Sequence, residues 1–88
     1  MIFHKETKKS KFGIDKLVYF TYRGRDYTMY IHYQKKTDRT SVSFFKTSVN
    51  YRDLEMPKST FMYHTKCLNV QQHINNFIIE LKEKGLWK

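Results

Sequence analysis

Three aromatic side chains and one histidine have the types and spacing that suit a recognition surface. Tyr19, Tyr30 and Phe45 lie in segments where apolar and polar residues alternate, as in β-strands, and His32 lies two residues after Tyr30. Aromatic rings stack on nucleic-acid bases, and neighbouring cations bind phosphates. The cations that border these segments are Lys16, Arg23, Arg25, Lys35, Lys36 and Arg39. These ten residues form the predicted nucleic-acid-binding set.

The charge of the chain favours a polyanionic partner. Seventeen lysines and arginines stand against eight acidic residues, a net charge of +9. Residues 1–39 hold ten of the basic and four of the acidic residues, or +6. Nucleic acid is the commonest polyanion that such a surface attracts. We expect single-stranded DNA or RNA, and a duplex remains open because a small sheet can enter the major groove.

Residues 17–34 predict a β-hairpin that turns at Gly24 and Arg25. Glycine at the first central position suits a type II′ turn, which would pair Phe20 with Met29. Opposed residues share a face, so the apolar residues fall on one side: Val18, Phe20, Tyr22, Tyr27, Met29 and Ile31. The other side carries Leu17, Tyr19, Thr21, Thr28, Tyr30 and His32. We expect the first side to be the core.

A third strand is predicted over residues 40–47, after a polar turn. Pairing Tyr33 with Val42 places the apolar residues of this third strand on the core side. The same register pairs Tyr30 with Phe45, and therefore predicts one row of rings, Tyr19, Tyr30 and Phe45, across the other side. Residues 60–64 form a possible fourth strand, and residues 48–59 are expected to be a loop.

The C-terminal region predicts one amphipathic helix. Asn69 is a good N-cap, and the apolar residues after it share one helix face: Val70, Ile74, Phe77, Ile78 and Leu81. Gly85 fits a left-handed C-cap. The predicted fold class is α+β, a three- or four-stranded antiparallel sheet with this helix packed on one face. Residues 1–13 are expected to be a basic arm, with a short edge strand at Ile2 and Phe3 as the alternative, and residues 14–88 one small domain.

One helix covers one side of a sheet, so the predicted ring row is open unless the arm, the loop or another chain covers it. A homodimer through the aromatic side is therefore one alternative. Another is an accessory protein of the phage or mobile-element type, which would use the same side to bind and inhibit an acidic host protein or a nucleoprotein complex.

Catalysis and metal binding have weaker support in the sequence. A toxin-like ribonuclease could be centred on His32, but the pattern fixes no second titrating group beside it, so no catalytic residue is predicted. His64, Cys67 and His73 lack a fourth ligand at any standard zinc spacing, so neither a metal nor a cofactor is predicted. We therefore expect a protein that is not an enzyme.

The sequence also suggests where the protein works. Cys67 is the one cysteine, which rules out an internal disulfide, and the first residues lack an apolar signal region. No apolar run approaches the ~20 residues that span a bilayer. We expect a cytoplasmic protein that has no membrane partner.

Overall fold

A computed structural model describes residues 1–46 and 59–84 of the chain. Within these residues the fold is α+β, with a five-stranded antiparallel sheet and one helix that follows it. The sheet is a meander, since the strands lie side by side in chain order. The elements are β1 (Ile2–Lys9), β2 (Gly13–Tyr22), β3 (Arg25–Gln34), β4 (Arg39–Phe45), β5 (Ser59–Tyr63) and α1 (Val70–Lys84).

The predicted count of three or four strands is wrong, because the segment expected to be an arm forms β1. This strand pairs along β2, from Lys9 opposite Ile14 to Ile2 opposite Phe20. Of its residues, only Ile2 packs against the core, and the other seven are exposed. Lysine-rich strands are common at sheet edges, where charge discourages pairing with other chains. Such a strand has no apolar alternation, so its sequence resembles that of an arm.

The β2–β3 turn lies one residue earlier than predicted. Arg23 and Gly24 are its two central residues, and both have positive φ, 52° and 73°, as a type I′ turn requires. Tyr22 therefore pairs with Arg25, and Phe20 pairs with Tyr27 instead of Met29. The predicted type II′ turn is therefore wrong, and the predicted register is wrong by two residues.

The β3–β4 pairing differs from the prediction in the same way. Tyr33 lies opposite Thr40 rather than Val42. The turn is held by a 2.8 Å hydrogen bond that the Tyr33 hydroxyl donates to Asp38, and this bond raises the pKa of the phenol. Because side chains alternate with a period of two, a two-residue change in pairing leaves every residue on its predicted side of the sheet.

The helix packs on the side of the sheet that the sequence predicts to be core. Phe77 stacks parallel to Phe44, with ring centroids 4.1 Å apart, and makes edge contacts with Phe20 and Tyr27. Ile74 and Leu81 are buried beside it. The apolar stripe of α1 and the apolar side of the hairpin thus form one core.

The start of the helix is fixed in the predicted place. The Asn69 side chain accepts a 3.1 Å hydrogen bond from the amide of Gln72, so Asn69 is the N-cap. Thr40 anchors the connection from β5, since its hydroxyl donates to the Thr65 carbonyl and accepts from the Cys67 amide. These bonds fix how α1 enters the core.

Two predicted features lie outside the described residues: the loop over residues 48–58 and the C-cap at Gly85. Ser59, which closes the predicted loop, is the first residue of β5 and pairs with Phe44. In the described part of the chain, no helix has the length and apolar character to cross a membrane.

Candidate functional site

The side of the sheet opposite α1, which we call the open face, is the main candidate for a functional surface. Among the described residues α1 is the one element outside the sheet, and it packs on the other side. Strand pairing places three long rows of residues on the open face, and the pairs Thr21–Asp26 and Gln34–Arg39 lie beyond them at the two ends. The rows are His4, Tyr19, Thr28 and Phe45; Glu6, Leu17, Tyr30, Ser43 and Thr60; and Lys8, Asp15, His32, Ser41 and Met62.

The predicted aromatic residues lie on the open face, but they do not form a single row. Tyr19 and Phe45 lie on either side of Thr28, while Tyr30 is in the next row, between Leu17 and Ser43. The predicted row is wrong because it depended on the two-residue register error. All three rings are partly buried. The rings are therefore staggered instead of lying in a straight line, and two residues beside them on this face, Leu17 and Thr28, are buried.

A second group of rings, which we call the edge cluster, lies where β1 meets β2. It consists of Phe3, His4 and Tyr19. The Tyr19 ring stacks on His4, with centroids 5.0 Å apart, and a tilted contact joins it to Phe3 at 6.0 Å. Phe3 sits at an irregularity in the β1 register and is 53% exposed. The sequence prediction missed Phe3 and His4 because it placed them in a loose arm.

The predicted cations are spread over three regions rather than forming a border. Arg39 lies on the open face, opposite Gln34. Lys16 and Arg25 lie on the helix side, since their partners there are Ile31 and Tyr22. The remaining three are in turns at opposite ends of the strands, Arg23 in the β2–β3 turn and Lys35 and Lys36 in the β3–β4 turn.

Acidic residues also lie on the open face, which gives it a mixed charge. The acidic residues on this face are Glu6 and Asp15, which lie in the rows, and Asp26, which lies at one end of them. The basic residues Lys8 and Arg39 lie on the same face. Glu6 pairs with His4, with Oε1 3.2 Å from Nε2. The open face thus provides aromatic contacts, while five of the six predicted cations lie elsewhere.

His32 is held by a carboxylate that the sequence did not predict. Asp15 lies directly across from it, with Oδ1 2.5 Å from Nδ1. Because a carboxylate accepts, Nδ1 carries the proton, and in the neutral ring Nε2 keeps its lone pair. The plane of the imidazole lies 15° from that of the Tyr30 ring. The side chains of His32 and Asp15 are both about half exposed. The predicted register placed Leu17 opposite His32, so this pair could not be found.

The histidine and cysteine near the start of α1 have a structural role. His73 is buried, and its Nε2 donates a 2.7 Å hydrogen bond to the Cys67 carbonyl. Its ring also contacts that of Tyr63. In residues 1–46 and 59–84, no group of three histidine, cysteine or acidic side chains is arranged to hold a metal ion.

Comparisons of this chain with protein-family models, with curated proteins and with solved structures found no match. The open face and its edge offer three kinds of chemistry, namely stacking on rings, attraction of phosphates to cations, and proton transfer at His32.

Proposed function

We propose that this protein is a small module that binds single-stranded nucleic acid on the open face. The observation that carries the proposal is a sheet face with partly exposed rings that no described element covers, in a chain of charge +9. Each base stacked on a ring contributes ~1–3 kcal/mol, and a sequence-independent charge attraction adds to this. Binding of this kind needs no catalytic group, and we propose that the protein is not an enzyme.

Part of the predicted set of cations would contact phosphates around this face, since Lys16 and Arg25 lie on the helix side. Arg39 is on the face itself, and Lys35 and Lys36 extend from the adjacent turn. Arg23 lies at the opposite end of the strands, with its guanidinium 5.6 Å from the Tyr22 ring centre. His32 can stack with a base beside Tyr30. We propose a cytoplasmic location, which suits a chain with one cysteine and this type of ligand.

The proposal is tested by titrating labelled single strands of DNA and RNA, and the matching duplexes, between about 50 and 200 mM salt. Fluorescence anisotropy should show tighter binding of the single strands. The logarithm of the association constant should fall linearly with the logarithm of salt concentration, by about 0.7 for each phosphate neutralised. Absence of binding at the lowest salt would exclude the proposal, and equal or tighter binding of duplexes would favour contacts in the major groove.

A protein partner is the alternative occupant of the same face. An accessory or inhibitory protein would bind an acidic protein or a nucleoprotein complex, and its positive charge would speed the association. Capture of a defined partner that survives nuclease treatment, together with no affinity for naked nucleic acid, would favour this alternative. Self-association through the open face would instead appear as a dimer in sedimentation experiments.

Cleavage of RNA is a second candidate function, favoured by the Asp15–His32 pair. A histidine oriented by a carboxylate can act as a general base. Nε2 would take the proton of a ribose 2′-hydroxyl, whose oxygen would form a bond to phosphorus as the bond to the 5′-oxygen breaks. Water would protonate the departing 5′-oxygen. The products would be a 2′,3′-cyclic phosphate and a 5′-hydroxyl end.

His32→Ala separates the two candidate functions. If the pair is catalytic, this change should lower the cleavage rate by about 10²-fold or more, the usual scale for a general base, when the rate is measured with saturating protein so that a lost stack at His32 does not limit it. Gel analysis of labelled RNA measures the rate, and the same strand with one 2′-deoxyribose at the cleaved position is the control. RNA that the wild-type protein binds and leaves intact would exclude cleavage and leave the binding proposal standing.

A further inference from the structure

The edge of the sheet formed by β1 has different chemistry on its two sides. The open face carries the rings of the edge cluster there. On the helix side three lysines project, and we call them the lysine strip. Lys5 pairs with the core residue Val18, Lys9 pairs with Ile14, and Lys16 lies between Thr7 and Ile31. Paired residues share a side, so all three lysines lie on the side that carries α1.

The distribution of acidic residues separates the two sides further. On the open face, β1 and β2 carry two acidic residues, Glu6 and Asp15, against one lysine, Lys8, so this part of the face has no net positive charge to attract phosphates. On the helix side, the residues of β1 and β2 include no acidic side chain: Ile2, Lys5, Thr7, Lys9, Ile14, Lys16, Val18, Phe20 and Tyr22. Phosphates are therefore favoured on the lysine side of the edge, and bases on the ring side.

The three lysines are placed to contact a nucleic-acid strand that passes around the β1 edge of the sheet. Lys5 and Lys9 are exposed, and Lys16 is partly buried one strand further in. Lys5 follows His4 directly, so a ring of the edge cluster and a cation of the lysine strip are adjacent in the chain but lie on opposite sides. A lysine ammonium on a flexible four-carbon stem can follow a phosphate that passes β1.

We propose that a single-stranded nucleic acid bound on the open face continues over the β1 edge and places its phosphates on the lysine strip. This inference rests on the proposed binding function and adds the path of the strand. A duplex cannot follow that path, because its persistence length of about 150 base pairs far exceeds the thickness of a sheet. The path therefore selects flexible single strands that are long enough to reach both sides.

The test compares two triple variants that remove equal charge. The strip variant combines Lys5→Gln, Lys9→Gln and Lys16→Gln, and the control combines Lys46→Gln, Lys82→Gln and Lys84→Gln, all exposed residues at the end of β4 or in the last turn of α1. With oligonucleotides of about 12 nucleotides, we expect the strip variant to bind roughly 10- to 100-fold more weakly at ~0.1 M salt. Its salt slope should fall by about 2, or about 0.7 for each lysine.

Oligonucleotide length provides the decisive comparison. A strand of about 4 nucleotides cannot occupy both sides, so the strip variant should bind it within about threefold of wild type. Equal losses in the strip and control variants, or equal losses for short and long strands, would overturn the proposed path. If the strip variant kept wild-type affinity for long strands, the path would be wrong while the binding function stood. If the wild-type protein bound no strand, both proposals would fail. Thermal melting of each variant checks that the fold is intact.

Discussion

Phe77→Ala should remove most of the stability of the domain. The ring is fully buried and packs against Phe44, Phe20 and Tyr27, which belong to three different strands. Replacing a buried phenylalanine by alanine costs about 3–5 kcal/mol, because apolar contacts are lost and a cavity remains. Small domains have free energies of unfolding of about 5–15 kcal/mol. Urea denaturation followed by circular dichroism should show a large fall in the midpoint.

Ile79→Ala is the matched control for this change. Ile79 is two residues further along the same helix, and its side chain is 54% exposed. Alanine favours helix, so the substitution should change the free energy of unfolding by less than about 0.5 kcal/mol. If the two variants were equally stable, α1 would not pack on the sheet through Phe77. That result would remove the reason for treating the other side of the sheet as open.

Tyr19→Ala combined with Tyr30→Ala should strongly weaken the binding of single strands. Both rings lie on the open face, and each is expected to stack on one base. Two lost stacks at ~1–3 kcal/mol each correspond to a roughly 30-fold or greater rise in Kd. The salt slope should stay close to the wild-type value, because no cation is removed. Anisotropy titrations at several salt concentrations measure both quantities.

Tyr19→Phe combined with Tyr30→Phe controls for the loss of the hydroxyl groups. This variant keeps both rings, so its affinity should stay within a few-fold of wild type if stacking is the main contact. Phe12→Ala serves as a second control, since Phe12 is 70% exposed but lies in the β1–β2 turn, away from the rows of the open face. Affinity that survives in the double alanine variant would show that the rings do not contact the bases.

Two features could be predicted because they depend on short-range patterns: the side of the sheet on which each residue lies, and the position of the helix in the chain. Val18 and Phe20, like Met29 and Ile31, are two residues apart, and this period assigns sides even when the register is wrong by two residues. Asn69 and the apolar spacing after it locate α1, since a cap and a helical period are both local features. The prediction that α1 covers the side of Val18 and Ile31 is therefore confirmed.

The register and the first strand could not be predicted in this way. Turns at Arg23–Gly24 and at Gly24–Arg25 both suit the sequence around Gly24, and the choice between them depends on contacts across the sheet. One such contact is the hydrogen bond from Thr21 to Asp26, at 2.8 Å. In β1, exposed polar residues give no pattern, and the strand forms because β2 offers it a row of backbone hydrogen-bonding groups.

The sequence alone therefore determined the class of the fold, the side of the sheet that is buried and the strong positive charge. These properties follow from composition and from periodicities of a few residues. Only the tertiary structure determined which side chains are neighbours across strands. That step brought Asp15 to His32 and joined Phe3 and His4 to Tyr19. The physical reason is that pairing between strands depends on all the contacts formed together, which local patterns do not contain.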